Sequence, residues 1–117
     1  MLFRSNDGKD NPMDVPLWFD AAGGDHLYAF EWSPSSIRWM VDGHIVREVD
    51  ARASPNGIPD ASSHVIANIW AAAGDSIRWV GEPNFTHAKA HYRCISHVPM
   101  GKSGPQCSDS FTPPPRP

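Results

Sequence analysis

Large apolar side chains alternate with small or polar ones in three consecutive stretches between residues 26 and 49. The alternating residues are Tyr28, Phe30 and Trp32, then Ile37, Trp39 and Val41, and then, less cleanly, Ile45, Arg47 and Val49. A period of two is typical of half-buried β-strands. An Asp-Gly pair between two such runs, here Asp42-Gly43, favours a hairpin because both central residues of a type I′ turn need positive φ. We therefore predict three antiparallel strands, 26–32, 36–41 and 44–49, in a meander.

The rest of the chain predicts further strands separated by loops. Short or alternating apolar patterns predict strands at 15–20, 64–71 and 86–98, and a loop or edge strand at 77–81. Without helical periodicity or an internal repeat, this series favours an all-β sandwich or barrel. The polar segment 1–14 is predicted to be a loop or a frayed terminus. Residues 99–117, rich in Gly, Ser and Pro, are predicted to be a disordered tail because they cannot bury enough apolar area.

Composition excludes several classes of partner. The 117 residues suit one domain of ordinary size, and 10 basic residues stand against 13 acidic ones for a net charge of −3. Without a basic cluster, nucleic acid is not an expected partner. The sequence has no run of 18 apolar residues, so a membrane-spanning helix is not predicted. The first ten residues lack the long apolar stretch of a secretory signal.

The five tryptophans suggest a sugar-binding surface. Asn68 and Trp70 would share one face of the strand predicted at 64–71, where the indole could stack on a pyranose and the amide could bind hydroxyls. Trp79, in a loop, could be a second stacking platform. Burial is the alternative for both tryptophans: Trp70 would be core, with Asn68 capping a strand edge, and Trp79 a plug under a loop. Trp32 and Trp39 are predicted to be core, whereas Trp18 stays unassigned.

No catalytic or metal centre emerges from the residues themselves. Glu48 and Asp50 form the only Glu-x-Asp pattern, and we interpret it as a solvated strand end. His87 and His91 would lie about 13 Å apart along a strand, which is too far for one zinc ion. Cys94 and Cys107 leave two alternatives open, a disulfide in a secreted protein or two free thiols.

Several of these segments together resemble glycoside hydrolase family 16. The resemblance rests on His26-Leu-Tyr-Ala-Phe-Glu-Trp32, Ile37-Arg-Trp-Met-Val-Asp-Gly43, Asn68-Ile-Trp70 and Trp79-Val-Gly81, in that order and over residues 15–98. It implies a concanavalin A-like jelly roll of antiparallel strands with a glucan-binding cleft. It also implies cleavage or transfer of β-glucans with retention, and β-glucan contacts at Asn68, Trp70 and Trp79.

The resemblance leaves the catalytic positions empty. The family's Glu-x-Asp-x-Glu strand should precede His26, but the 25 residues before it contain no Glu. No catalytic residue is therefore assigned. Some members of the family bind a structural calcium ion through an acidic residue in the closing strand. In this chain, His91 or a neighbour occupies the corresponding position. We therefore expect no metal or other cofactor.

Length then indicates a partial domain. Sandwiches of this kind often run to about 200–250 residues, so residues 15–98 are expected to be the C-terminal half of one. We expect the isolated chain to be catalytically inactive. We also expect it to aggregate or to remain in a molten state. The alternatives are a non-catalytic, lectin-like β-glucan-binding module and a structural β-domain without a ligand. The family resemblance implies an extracellular protein, monomeric when the full domain is present.

Overall fold

The computed structural model describes residues 6, 8–54 and 56–117. Contacts divide the chain into two units, one formed by 1–62 together with 95–117, the other by 63–94. Within the described residues, no helix is long and apolar enough to cross a membrane. Part of the predicted frayed segment 1–14 lies outside the described residues.

The first unit is built on the meander that the alternating pattern predicts. Strands β1 (Tyr28–Trp32), β2 (Ser36–Val41) and β3 (His44–Asp50) form an antiparallel sheet in the order β1-β2-β3. The prediction of these three strands is confirmed to within two residues. The fold class is all-β, a partial antiparallel jelly roll, as predicted.

The turn between β2 and β3 fixes this sheet. Asp42 and Gly43 have φ of +51° and +81°, and Asp tolerates this region better than most residues with a Cβ. The Asp42 backbone N–H donates to the carbonyl of Leu27 at 2.8 Å, and the Leu27 N–H donates to Asp42 Oδ1 at 2.8 Å. The turn residue therefore also anchors the start of β1, fifteen residues earlier in the chain.

His26 completes this anchor. Its Nδ1 lies 2.7 Å from Asp42 Oδ2, with side-chain exposures of 9% and 1%. The Phe19 ring stacks on the imidazole, with 3.4 Å between the ring centres and a 5° angle between their planes. Burial, and then the charge of Asp42, raises the pKa of the nearby Tyr28. A buried carboxylate that accepts two hydrogen bonds is strongly held, because losing either partner would leave a buried polar group unsatisfied.

A small core covers one face of β2 and β3. Ile37, Trp39, Val49 and Ile58 are buried together, and Val46, the extra residue where the β2–β3 register shifts, packs against them. The Trp32 indole N–H donates to the Pro59 carbonyl at 2.8 Å, which holds the 51–60 loop against the sheet. Trp39 is core as predicted, and Trp32 is half-buried beside it.

Residues 63–94 form a smaller unit. It contains a 3-10 turn, Gly74–Ser76, followed by one turn of helix, α1 (Ile77–Val80). The loop or edge strand predicted at 77–81 is therefore wrong. Ser76 Oγ contacts the Ala73 carbonyl at 2.8 Å and accepts the Ala73 N–H at 3.0 Å, which favours the compact turn over an extended chain.

The strands predicted at 15–20, 64–71 and 86–98 are also wrong, because the structure has no strand in those residues. A strand needs a neighbour for its backbone hydrogen bonds and a surface for its apolar face. Val65 and Ile66 remain 70% and 79% exposed, so no layer of the described structure covers this apolar stretch. At 15–20, Pro16 also removes a backbone donor.

Two further sequence predictions concern the C-terminal region. Cys94 and Cys107 are both disulfide-bonded, so the free-thiol alternative is wrong. Residues 107–109 form a 3-10 turn, and the Arg116 guanidinium lies 4.4 Å from the centre of the Trp18 ring. The boundaries at residues 15 and 99 and the disorder of the tail stay predictions.

The Asp42 anchor leads to a prediction about local stability. Asp42→Ala should raise the rate of hydrogen exchange at the Leu27 amide at least about tenfold. The reason is that this substitution removes the hydrogen-bond partner of both Leu27 and His26. Hydrogen exchange measured residue by residue would show this. Asp20→Ala is the control: Asp20 also accepts a backbone hydrogen bond, from Ala22 at 2.9 Å, but in an exposed turn. Equal effects of the two variants on Leu27 would contradict the anchor.

Candidate functional site

Two predicted sugar-binding residues, Trp70 and Trp79, lie side by side in the unit 63–94. Their ring centres are 6.1 Å apart and their planes are inclined by 56°. The residues are 54% and 76% exposed. Neither is core, so the alternatives in which Trp70 is buried and Trp79 plugs a loop are not observed.

Local structure brings the two indoles together. Trp79 lies on α1, which starts directly after the 3-10 turn at Gly74–Ser76. Gly74 and Gly81 have φ of +57° and +94°, so the chain reverses at one end of this segment and leaves the helix at the other. The nine-residue separation of the tryptophans carried no signal of this proximity, since it depends on a helix that the sequence pattern did not predict.

Asn68 is exposed and lies two residues before Trp70. The argument that both side chains share a strand face fails, because residues 64–71 do not form a strand. The role of Asn68 in binding therefore stays a prediction that rests on the family resemblance.

The tryptophan pair can bind sugars by stacking. An exposed indole presents a broad apolar surface with a polar N–H at its edge, which suits a ligand that has both C–H faces and hydroxyls. Two inclined rings can contact two neighbouring units of a polymer, or two sides of one unit. The arrangement provides binding surface and does not provide an acid, a base or a nucleophile.

Two acidic residues of the sheet flank the same arginine. Arg38, on the central strand, pairs in register with Glu31 on one side and Glu48 on the other. Its Nη1 lies 3.9 Å from Glu31 Oε2, and its Nε lies 3.2 Å from Glu48 Oε1. The three side chains are between 44% and 48% exposed. The arginine lies between the two carboxylates and offsets the charge of one of them, and such exposed pairs contribute about 0–1 kcal/mol.

The predicted solvated strand end at Glu48 and Asp50 agrees with the structure. Both residues are exposed, and Asp50 Oδ1 accepts the backbone N–H groups of Arg52 and Ala53 at 2.9 Å each. Asp50 thus terminates β3 by capping the turn that follows it.

The closing segment carries His91 where the family resemblance places an acidic calcium ligand. Calcium takes six to eight oxygen ligands, mostly carboxylates and carbonyls, whereas His91 offers nitrogen and is exposed. Among residues 6, 8–54 and 56–117, no three His, Cys, Asp or Glu side chains are grouped in a way that could hold a metal.

Comparison with known proteins gives the context for these residues. The model of Glycosyl hydrolases family 16 matches residues 2–92. A beta-glucanase of Bacillus subtilis is 34% identical over 97 residues, which are 82% of this chain and 38% of that protein. A beta-glucanase of Bacillus licheniformis is 39% identical over 70 residues, 60% of this chain and 26% of that protein.

A beta-glucanase of Acetivibrio thermocellus is 35% identical over 98 residues, 83% of this chain and 27% of that protein. The chain therefore spans well under half the length of these curated relatives. No solved structure matches the chain.

The proximity of Trp70 and Trp79 has a spectroscopic consequence. Two indoles this close couple their electronic transitions, so we expect a tryptophan couplet in the far-ultraviolet circular dichroism spectrum. Trp70→Phe and Trp79→Phe should each remove the same couplet. Trp18→Phe should leave it, because Trp18 contacts Phe19, His44 and Arg116. Different spectral losses in the two first variants would show that the rings are apart in solution.

Proposed function

The chain belongs to glycosyl hydrolases family 16, and we propose that it forms the sugar-binding, C-terminal part of an endo-β-glucanase or transglycosylase domain. The substrate is a β-glucan polysaccharide, and the whole domain acts on its O-glycosyl bonds. The observation that carries this proposal is the exposed, inclined pair Trp70 and Trp79, 6.1 Å apart, in a chain of this family. Asn68 is the third contact to the polymer in this proposal.

The binding role follows from exposure. Leaving two large indoles in water costs free energy that a sugar can recover by covering them, since aromatic burial is worth about 1.5–3 kcal/mol per fully buried side chain. Hydroxyls at the rim of each sugar would then reach polar groups such as the Asn68 amide. The pair thus positions the polymer, and the chemistry takes place elsewhere along it.

The catalytic step of the whole domain proceeds with retention in this proposal. A retaining glycosidase uses two carboxyl groups about 5–5.5 Å apart, one as nucleophile and the other as acid and then base. Glu31 and Glu48 do not meet this requirement, because Arg38 lies between them and pairs with both. The carboxylates of the reaction therefore come from a segment other than these residues, and the 117-residue polypeptide alone is inactive.

The remaining properties follow from the family in the same way. We place the whole protein outside the cell, consistent with the disulfide-bonded state of Cys94 and Cys107. It works without a cofactor, and as a monomer when the full domain is present.

Binding can be tested by affinity electrophoresis of the 117-residue chain. Gels containing laminarin or lichenan should retard the wild type, and Trp70→Ala should abolish the shift, because half of the stacking surface is lost. Trp79→Ala should weaken it strongly without abolishing it, because Trp70 and Asn68 still contact the polymer. Phe85→Ala is the matched control, since Phe85 is a half-exposed aromatic residue of the same unit outside the pair. Wild-type mobility unaffected by either glucan would contradict a sugar-binding role and favour a structural β-domain.

Inactivity of the isolated chain has its own test. Incubation of the purified 117-residue polypeptide with laminarin or lichenan should release no reducing sugar above a buffer control. Release that disappears in Glu31→Gln or Glu48→Gln would overturn the proposal that the carboxylates lie elsewhere. Retardation by glucan without hydrolysis is also what a non-catalytic, lectin-like module would give.

A further inference from the structure

The segment that follows α1 contains an acceptor triplet for N-linked glycans. Asn84-Phe85-Thr86 has the pattern Asn-x-Thr, and its middle residue is not proline. The other asparagines of the sequence lack a hydroxyl residue at the second following position, which is occupied by Gly8, Met13, Ile58 and Trp70. The sequence therefore contains one triplet of this kind.

The structure presents this triplet on the surface. Asn84, Phe85 and Thr86 are all exposed, and none of them lies in a helix or a strand. Gly81, with φ of +94°, follows the end of α1 and redirects the chain three residues before Asn84. A transferring enzyme must reach the backbone on both sides of the asparagine, and the glycan must then project into solvent. An exposed, irregular segment allows both.

The two polar groups that the transfer needs are accessible. Among residues 6, 8–54 and 56–117, no hydrogen bond to the side-chain amide of Asn84 is found. The Thr86 hydroxyl oxygen lies 3.1 Å from His87 Nδ1, and both side chains are exposed. An exposed contact of this kind can be exchanged for one with an enzyme at little cost, because water satisfies the group that is released.

The redox state of the chain agrees with passage through a secretory compartment. Cys94 and Cys107 are both disulfide-bonded, which is typical of proteins that mature in an oxidising compartment. We propose that Asn84 is an acceptor site for N-linked glycosylation, with an oligosaccharide on a lipid pyrophosphate as the donor. This inference shares with the proposed function only the placement of the protein outside the cell.

The modification is a group transfer without oxidation or reduction. The bond between Asn84 Nδ2 and C1 of the first sugar forms as the bond between C1 and the pyrophosphate oxygen breaks. The lipid pyrophosphate leaves with the electron pair of the broken bond, and Nδ2 loses one proton to a base of the transferring enzyme. The Thr86 hydroxyl is the group by which the enzyme recognises the triplet.

A glycan at this position would stand among exposed apolar side chains of the same unit. Val80 and Phe85 are each 50% exposed and lie within four residues of Asn84 along the chain. An oligosaccharide is bulky and hydrophilic, so it would cover part of this apolar surface and keep the unit soluble.

Secretion from a eukaryotic host that glycosylates its secreted proteins tests the site. The 117-residue chain is produced behind a cleavable secretion signal, and the secreted and cell-retained fractions are both analysed. We expect a mobility shift on denaturing gels that peptide-N-glycosidase removes. That enzyme leaves an aspartate at the carrier position, so mass spectrometry of the released peptides should locate the change at residue 84.

Substitutions in the triplet separate the glycan from other causes of a shift. Asn84→Gln and Thr86→Val should each abolish the shift, because they remove the acceptor nitrogen's side chain and the recognised hydroxyl. Thr86→Ser should keep the shift, since the hydroxyl remains. Asn56→Gln is the matched control: Asn56 is also an exposed asparagine, but Ile58 stands at its second following position, so the shift should be unchanged.

The outcomes decide the inference without reference to glucan binding. A shift that is lost in Asn84→Gln and Thr86→Val and kept in Thr86→Ser supports it. A wild type without a shift in both fractions, or a shift that persists in Asn84→Gln, overturns it even if glucan retards the chain. Thr86→Val should also bind more apolar dye than the glycosylated wild type, and equal binding would contradict the covering of the apolar surface.

Discussion

The Asp42 carboxylate is the contact on which the three-stranded sheet depends. It accepts the Leu27 N–H and His26 Nδ1 within a turn that itself needs positive φ at Asp42 and Gly43. Asp42 thus forms the β2–β3 turn through its backbone and attaches the start of the first strand through its side chain. Because a two-stranded hairpin is marginal alone and a third strand is needed for independent stability, this anchor converts a local turn into a sheet that can support a core.

The same contact explains what could be predicted from the sequence. The meander depends on interactions that are close along the chain: alternation within each strand and an Asp-Gly turn between two of them. The sequence therefore predicts the burial of Trp39 and the turn at Asp42, and the structure confirms both. The role of His26 could not be predicted, since its partner is sixteen residues away and a lone histidine before a strand has no signature.

Prediction failed where the pattern depends on a distant layer. Val65 and Ile66 belong to a short apolar stretch that predicts a strand, but they are exposed and outside any strand. A period-two pattern records that a face is to be buried, and it does not say by what. The Trp79 helix was missed for a different reason: four residues are too few to show helical periodicity, and the turn that starts the helix is set by the Ser76 hydroxyl contacts with Ala73.

Two exposed aromatic pairs among the described residues need separate explanations. Tyr28 and Phe30 lie on an edge strand beside the buried Val41 and Trp39, so their exposed surface continues that of a protein core. Trp70 and Trp79 instead face each other at an angle outside any strand, and their indole N–H groups give a polar edge that Phe lacks. Apolar area alone does not distinguish a face that extends a core from a surface that suits a sugar. The neighbouring backbone does distinguish them, because a strand edge can extend a sheet, whereas a turn followed by one helical turn presents only its side chains.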